Sequence, residues 1–325
     1  MSDTDPVSNE YSPSIFHESW WLDAATDNNY EVIEVTKDGK VIASLNIFCK
    51  NHLGLRLIRT PPYTRTLGPR LFLPPSKPFR RAQNIRNTIA ELVKKLPAYD
   101  SLQLSLDPDD ETGFAFSLNG FLIRQQFTFR IAPDTPLEEV WRDCDQKTRN
   151  LIRSADRKLT VVRSTDITEF IRMSLVDRPK KKNSHDFARL EKIFHACRLK
   201  NQGLVFSARD ETGRQISCVV LVWDHKHVYF WQSARDREAQ VAGANMLLLW
   251  KSIEFAHEKK LTFDFDSFAS IRSAKMIASF GRIPIARQQV IGTSICYQWE
   301  RAASALLVRL RDKGVDIYTS YKDRT

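Results

Sequence analysis

The chain has 325 residues, 42% of them hydrophobic, and a net charge of +10 with an isoelectric point near 9.4. That length holds two domains and a sizeable core, and no apolar run approaches the ~18 residues that a membrane span needs. The five cysteines, Cys49, Cys144, Cys197, Cys218 and Cys296, are widely spaced without a C-x-x-C pair. This argues against zinc or a disulfide framework and for a reducing cytoplasm. The start is acidic and polar and lacks a signal-peptide pattern. The basic excess points to an anionic partner (nucleic acid, a phosphorylated ligand or a lipid surface), with simple solubility as the bland alternative.

Residues 1–14, polar with two prolines, read as a disordered tail. Ile15 to Ala25 is a short helix burying Phe16, Trp20 and Trp21. Tyr30 to Val35, the turn pair Asp38-Gly39 and Val41 to Cys49 form a hairpin. Leu55 to Thr60 is a strand that runs into an irregular loop, Pro61 to Arg70. Ala82 to Leu96 carries Ile85, Ile89, Leu92, Val93 and Leu96 on one face of a helix. Strands at Ser101–Leu106 and Leu122–Ile131 flank a short helix near Phe114–Leu118.

The second half opens with a helix over 136–158. Leu137, Trp141, Cys144, Thr148, Ile152 and Ala155 keep to one side, and Arg142, Arg149, Arg153 and Arg157 form a basic stripe on another. Such stripes are more often a solvated face than a binding surface. Leu159–Val162 is a strand, Thr165–Leu175 a helix, Arg178–Asn183 a basic loop, Phe187–Lys200 a helix and Leu204–Ala208 a strand. Then comes the best-defined stretch. Ile216–Trp223 is an almost unbroken apolar strand, Asp224–His227 a polar turn and Val228–Trp231 a second strand. A loop with Gln240, Gly243 and Asn245 leads to a helix over 242–259 and to the strand Leu261–Asp266. Strand, glycine loop, helix, strand is a crossover unit that builds parallel pairing, and its loop can hold a phosphate at the helix N-terminus. The element order repeats in both halves without sequence identity between them.

That order, with Trp141–Ala155, Ala242–Ile253, Phe263-Asp-Phe-Asp266, Phe280-Gly281 and the Pro61–Pro69 loop, resembles the GNAT (N-acetyltransferase) superfamily. In its tandem arrangement it is similar to the Fem-type aminoacyl and peptidyl transferases. The resemblance covers Ile15 to Trp299. It implies an α/β fold of two GNAT-like domains, each a mixed twisted sheet flanked by helices. The domains expected are 15–133 and a catalytic 134–312, followed by a tail over 313–325. It also implies acyl transfer from acyl-CoA to an amine acceptor, expected to be anionic and bound between the domains. Two alternatives stand beside this: an aminoacyl-tRNA-dependent transferase acting on a cell-envelope precursor, its basic charge suiting tRNA, and a non-catalytic GNAT-like scaffold.

The donor loop of such proteins is Q/R-x-x-G-x-G/A. This chain offers Gln240-Val-Ala242-Gly243-Ala244-Asn245, with asparagine at the last small position, where a Cβ narrows the approach to phosphate. No tyrosine follows Asp266 closely; Ser267, Ser270 and Ser273 stand there instead. Asp264 and Asp266 lie two apart on a strand and so share one face, about 7 Å from each other. Carboxylates in a covered sheet are costly unless paired or used. Asp266 is expected to take a proton from the attacking amine and Asp264 to orient it. The competing structural roles are a helix cap or pairing with Arg272 or Arg287. Substrate contacts are expected from Tyr63, Arg65, Lys147, Arg149, Arg153 and Trp231. His225 and His227 share a side of an extended chain, but no further ligands accompany them and no metal site is expected.

Overall fold

A computed structural model describes residues 14–177, 186–239, 241–266, 271–295 and 297–298. The N-terminal tail to residue 13, the basic loop from Arg178, His185, Gln240, Ser267, Ser270, Cys296 and the C-terminal tail lie outside these residues.

A 3-10 turn at Ile15–His17 and helix α1 (Ser19–Thr26) precede β1 (Glu31–Lys37), β2 (Lys40–His52), β3 (Leu55–Arg59), β4 (Arg70–Leu71), α2 (Pro78–Lys94), β5 (Ser101–Ser105), α3 (Gly113–Leu118), β6 (Leu122–Thr128) and β7 (Arg130–Ile131). Asp38 and Gly39 turn β1 into β2 with φ of 52° and 74°, the left-handed pair that a two-residue hairpin needs. Helix α2 starts with Pro78 in its first turn, where a missing N–H costs nothing. It buries Ile85, Ile89 and Leu92 against Ile33, Leu45 and Leu102.

The rest comprises α4 (Leu137–Asp143), α5 (Gln146–Asp156), β8 (Thr160–Ser164), α6 (Thr168–Asp177), α7 (Phe187–Leu199), β9 (Gly203–Arg209), β10 (Gln215–Trp223), β11 (His227–Arg235), α8 (Ala244–Glu258), β12 (Thr262–Asp264), α9 (Ile271–Ala278) and β13 (Ile285–Thr293). The single helix expected over 136–158 is two. Cys144 is extended (ψ 142°), and Asp145 caps a new start by accepting from the Thr148 N–H at 2.9 Å and the Thr148 hydroxyl at 2.9 Å. An N-cap aspartate competes successfully with helix continuation.

Two mixed sheets result. The first runs β1-β2-β3-β5-β13-β6, with β4 on β2, and the second runs β7-β12-β11-β10-β9-β8. As the crossover unit requires, β11 and β12 are parallel. Helices cover both faces of the second sheet. Ile152, Leu247 and Leu248 pack with Phe206, Val219 and Phe263 on one side, and Trp21, Phe170 and Phe194 pack with Val205, Val220 and Trp231 on the other. Two-sided burial accounts for the unbroken apolar run of β10.

Sheet membership cuts across the expected boundary at 133–134. The last strand, β13, pairs with β5 and β6 of the first sheet, whereas β7, from the first half, pairs with β12 of the second. Helix α1 also sits in the second core. The two units are thus tied by exchanged strands.

Candidate functional site

Parallel pairing of β11 with β12 stops at Tyr229–Asp264. β11 continues to Arg235, while β12 ends and Asp266 turns into the left-handed region at φ 62°. The Arg65 side chain, from the loop between β3 and β4, bridges the two strands past this point. Its Nη2 donates to the Trp231 carbonyl, and its Nε pairs with Oδ2 of Asp266. On the other side of that carboxylate, Nη1 of Arg287 on β13 lies 3.7 Å from Oδ1. The Asp266 side chain is 2% exposed and that of Arg65 25%. Tyr63 completes the group. Its carbonyl accepts from Nε1 of Trp231 at 2.8 Å, the two rings meet edge to face at 6.0 Å, and its hydroxyl donates to the Asp186 carbonyl at 2.9 Å. Four expected site residues, Tyr63, Arg65, Trp231 and Asp266, thus converge at the seam. Arg287 joins them as an ion-pair partner of Asp266.

Asp264 lies on the same face, as the strand period requires, while Phe263 and Phe265 pack together on the other, 4.9 Å apart. Its Oδ1 accepts from the Thr128 hydroxyl at 2.6 Å and the Asp266 N–H at 2.7 Å, and its Oδ2 accepts from Nε of Arg130 at 2.7 Å. Arg130 also pairs with Asp107 at 2.8 Å and Asp109 at 3.0 Å. Burial works against the Asp264 carboxylate, but the Arg130 charge and these donors outweigh it and hold its pKa below the usual range. The neighbour that decides this direction is the Arg130 guanidinium. Arg130 and Asp107 were not anticipated; the signal was an arginine inside the apolar segment Phe127–Ile131.

At the donor loop, Gly243 is the N-cap of α8 with φ 89°. A Cβ there would stand 2.5 Å from the Leu151 carbonyl oxygen of α5, so helix packing as well as conformation demands glycine. Ala244 is buried and Ala242 exposed. Asn245 does not crowd the helix end, since its Oδ1 accepts from the Ser217 hydroxyl on β10. No side chain caps α8, leaving its first-turn amides and the positive end of its dipole for an anion. The residues present therefore fit a phosphate-bearing donor. Because α8 returns antiparallel from the end of β11 to the start of β12, its N-terminus lies at the same end of the sheet as Asp266.

The basic stripe is elsewhere. Helix α5 lies in the core opposite the one that holds Trp231. Nη1 of Arg149 donates to the carbonyls of Trp141, Arg142 and Cys144, and its Nη2 to Gln146 Oε1 at 2.8 Å. It closes the C-terminus of α4. Arg153 stacks 5.3 Å over the Trp141 ring, and Lys147 is exposed. The structure does not bring these three to the seam with Arg65. His227 is buried near Asp224, and among the described residues no His, Cys, Asp or Glu group could hold a metal. Nor does any described helix have the length and apolarity to cross a membrane.

Residues 142–267 match the family model described as an acetyltransferase (GNAT) domain. No curated protein matches the sequence. Among solved structures, FemX aligns over 90% of this chain and 95% of its own at 14% identity and a TM-score of 0.64. L-PGS from Bacillus licheniformis aligns over 83% and 87% at 10% identity and 0.51. The C-terminal domain of a putative lysylphosphatidylglycerol synthetase from Agrobacterium fabrum aligns over 89% and 90%, also at 10% and 0.51. At such identities these likenesses speak for the fold. Residues 142–267 thus carry the match to a GNAT domain, within a fold of two mixed sheets shared with FemX.

Proposed function

We propose that the protein moves an acyl group from acyl-CoA to an amine held at the seam between the two sheets. One observation carries this reading: Arg65, Asp266 and Trp231 meet where β11 and β12 part, at the sheet end that also presents the uncapped α8 N-terminus. Acyl-CoA, when bound, supplies an activated thioester. The amides of Ala244 and Asn245 would hold its phosphates. Asp266, paired with Arg65 and Arg287, accepts a hydrogen bond from the acceptor amine and orients it. Both carboxylate oxygens already face guanidiniums, an arrangement that favours this orienting role over the proton transfer expected from sequence. Tyr63 and Trp231 would line the acceptor's path. The four free thiols among the described residues suit a reducing cytoplasm.

Asp266→Asn keeps the shape and removes the charge. It should lower kcat by roughly 100-fold through misplacement of the amine and leave donor affinity unchanged. Full activity in this variant would remove Asp266 from the mechanism. The second reading, an aminoacyl-tRNA donor as suits the net charge of +10, predicts that charged tRNA rather than acyl-CoA raises the melting temperature. If neither does, a non-catalytic scaffold remains.

A further inference from the structure

A cavity of about 450 Å³ opens between the residues around His17 and the first sheet. Its walls include His17, Glu18, Tyr30, Glu34, Asn46 and Arg70, and its size falls in the range of about 300–1,000 Å³ typical of small-molecule sites. Arg70 is anchored by its backbone, which pairs with Ser44, and its guanidinium lies 5.2 Å over the Phe72 ring. The Nε of Arg70 is buried and has no hydrogen-bond partner. No ion pair among the described residues involves Arg70, Glu18 or Glu34, although all three line this one space; Glu34 meets Lys95 only through its backbone carbonyl, at 2.8 Å.

His17 does not supply the missing charge. It is fixed between the Ser14 hydroxyl at 3.0 Å and the Gly68 carbonyl at 3.1 Å, and burial pushes its pKa down to about 4, so it stays neutral. The cavity therefore presents a guanidinium and two carboxylates, held too far apart to pair. A ligand carrying both charges would pair with both sides of this space.

We propose that this cavity is a binding site for a small zwitterion of amino-acid or dipeptide type. Arg70 takes the carboxylate, and Glu18 and Glu34 take the ammonium. The proposal stands apart from the acyl-transfer reading, because binding here needs no donor and no Asp266.

Calorimetric titration of the full chain with glycylglycine, without donor, tests it. The dipeptide should bind saturably. N-acetylglycylglycine, which lacks the ammonium, and glycylglycinamide, which lacks the carboxylate, should each bind about tenfold more weakly. Arg70→Gln, whose backbone pairing is kept, should bind the dipeptide no better than the amide, while Arg70→Lys should retain part of the difference. Absence of saturable heat at millimolar dipeptide would overturn the proposal. So would equal binding of all three compounds, or inorganic phosphate binding as tightly as the dipeptide.

Discussion

Arg65 of the loop between β3 and β4 is bound to Asp266 just past the end of β12, so this strand of the second sheet ends on a charge supplied by the first half of the chain. Removing one partner of a buried pair strands the other, at a cost of about 3–5 kcal/mol. Arg287 remains to offset part of this. Arg65→Met should therefore lower the unfolding free energy by about 3 kcal/mol, and adding Asp266→Asn should recover at least ~1 kcal/mol of that. Chemical denaturation of the four members of the cycle measures the coupling. Strict additivity would show that the pair does not hold the seam.

Arg149 and Lys147 separate structure from binding on α5. Arg149→Ala uncovers three carbonyls at the end of α4 and should cost about 1–3 kcal/mol without altering the KM for acceptor. Lys147→Glu should leave both unchanged. A steep rise in acceptor KM in the lysine variant, with stability intact, would place the acceptor on the basic stripe after all.

Asp110 supplies a pH dependence. Its Oδ1 accepts from the Thr112 N–H at 2.7 Å and the Thr112 hydroxyl at 2.5 Å, while its buried Oδ2 has no partner. Burial raises its pKa to about 6. The folded state thus binds this proton more tightly than the unfolded state, and ionisation destabilises the fold as pH rises through ~4 to 6. Asp110→Asn, which keeps the Oδ1 acceptor, should stabilise the protein at pH 7.5 by at most about 3 kcal/mol. The gain should vanish near pH 4. Equal melting shifts at both pH values would show that Asp110 does not titrate in this way.

Much of this arrangement was readable in the sequence, and the gaps have physical causes. Period-two spacing put Phe263 and Phe265 in the core and the two aspartates opposite them. The turn at Asp38-Gly39 and the parallel crossover through α8 followed from local chemistry and connection rules. Ile285–Thr293 shows no clean alternation and carries no label for its neighbours, so its place in the first sheet was not legible. The break at Cys144–Asp145 was hidden because the apolar spacing runs on through it. Gly243 stood out as a glycine, but its close contact with Leu151 depends on the packing of α5 against α8. Arg149 was expected to contact substrate, because helical spacing cannot show that α4 ends beneath it.

The central claim is that the α8 N-terminus holds an acyl-CoA donor beside the Arg65–Asp266 seam. Gly243 is a poor probe, since any Cβ there meets Leu151. Asn245→Asp is a better one: the substitution keeps the acceptor for the Ser217 hydroxyl and adds a negative charge to the helix's first turn, which the fold tolerates. Calorimetric titration of CoA into both proteins is the direct measurement. Saturable binding to the wild type, weakened by salt and about tenfold weaker in Asn245→Asp, is the predicted result. No binding of CoA to the wild type, or identical affinity in the two proteins, would contradict the account.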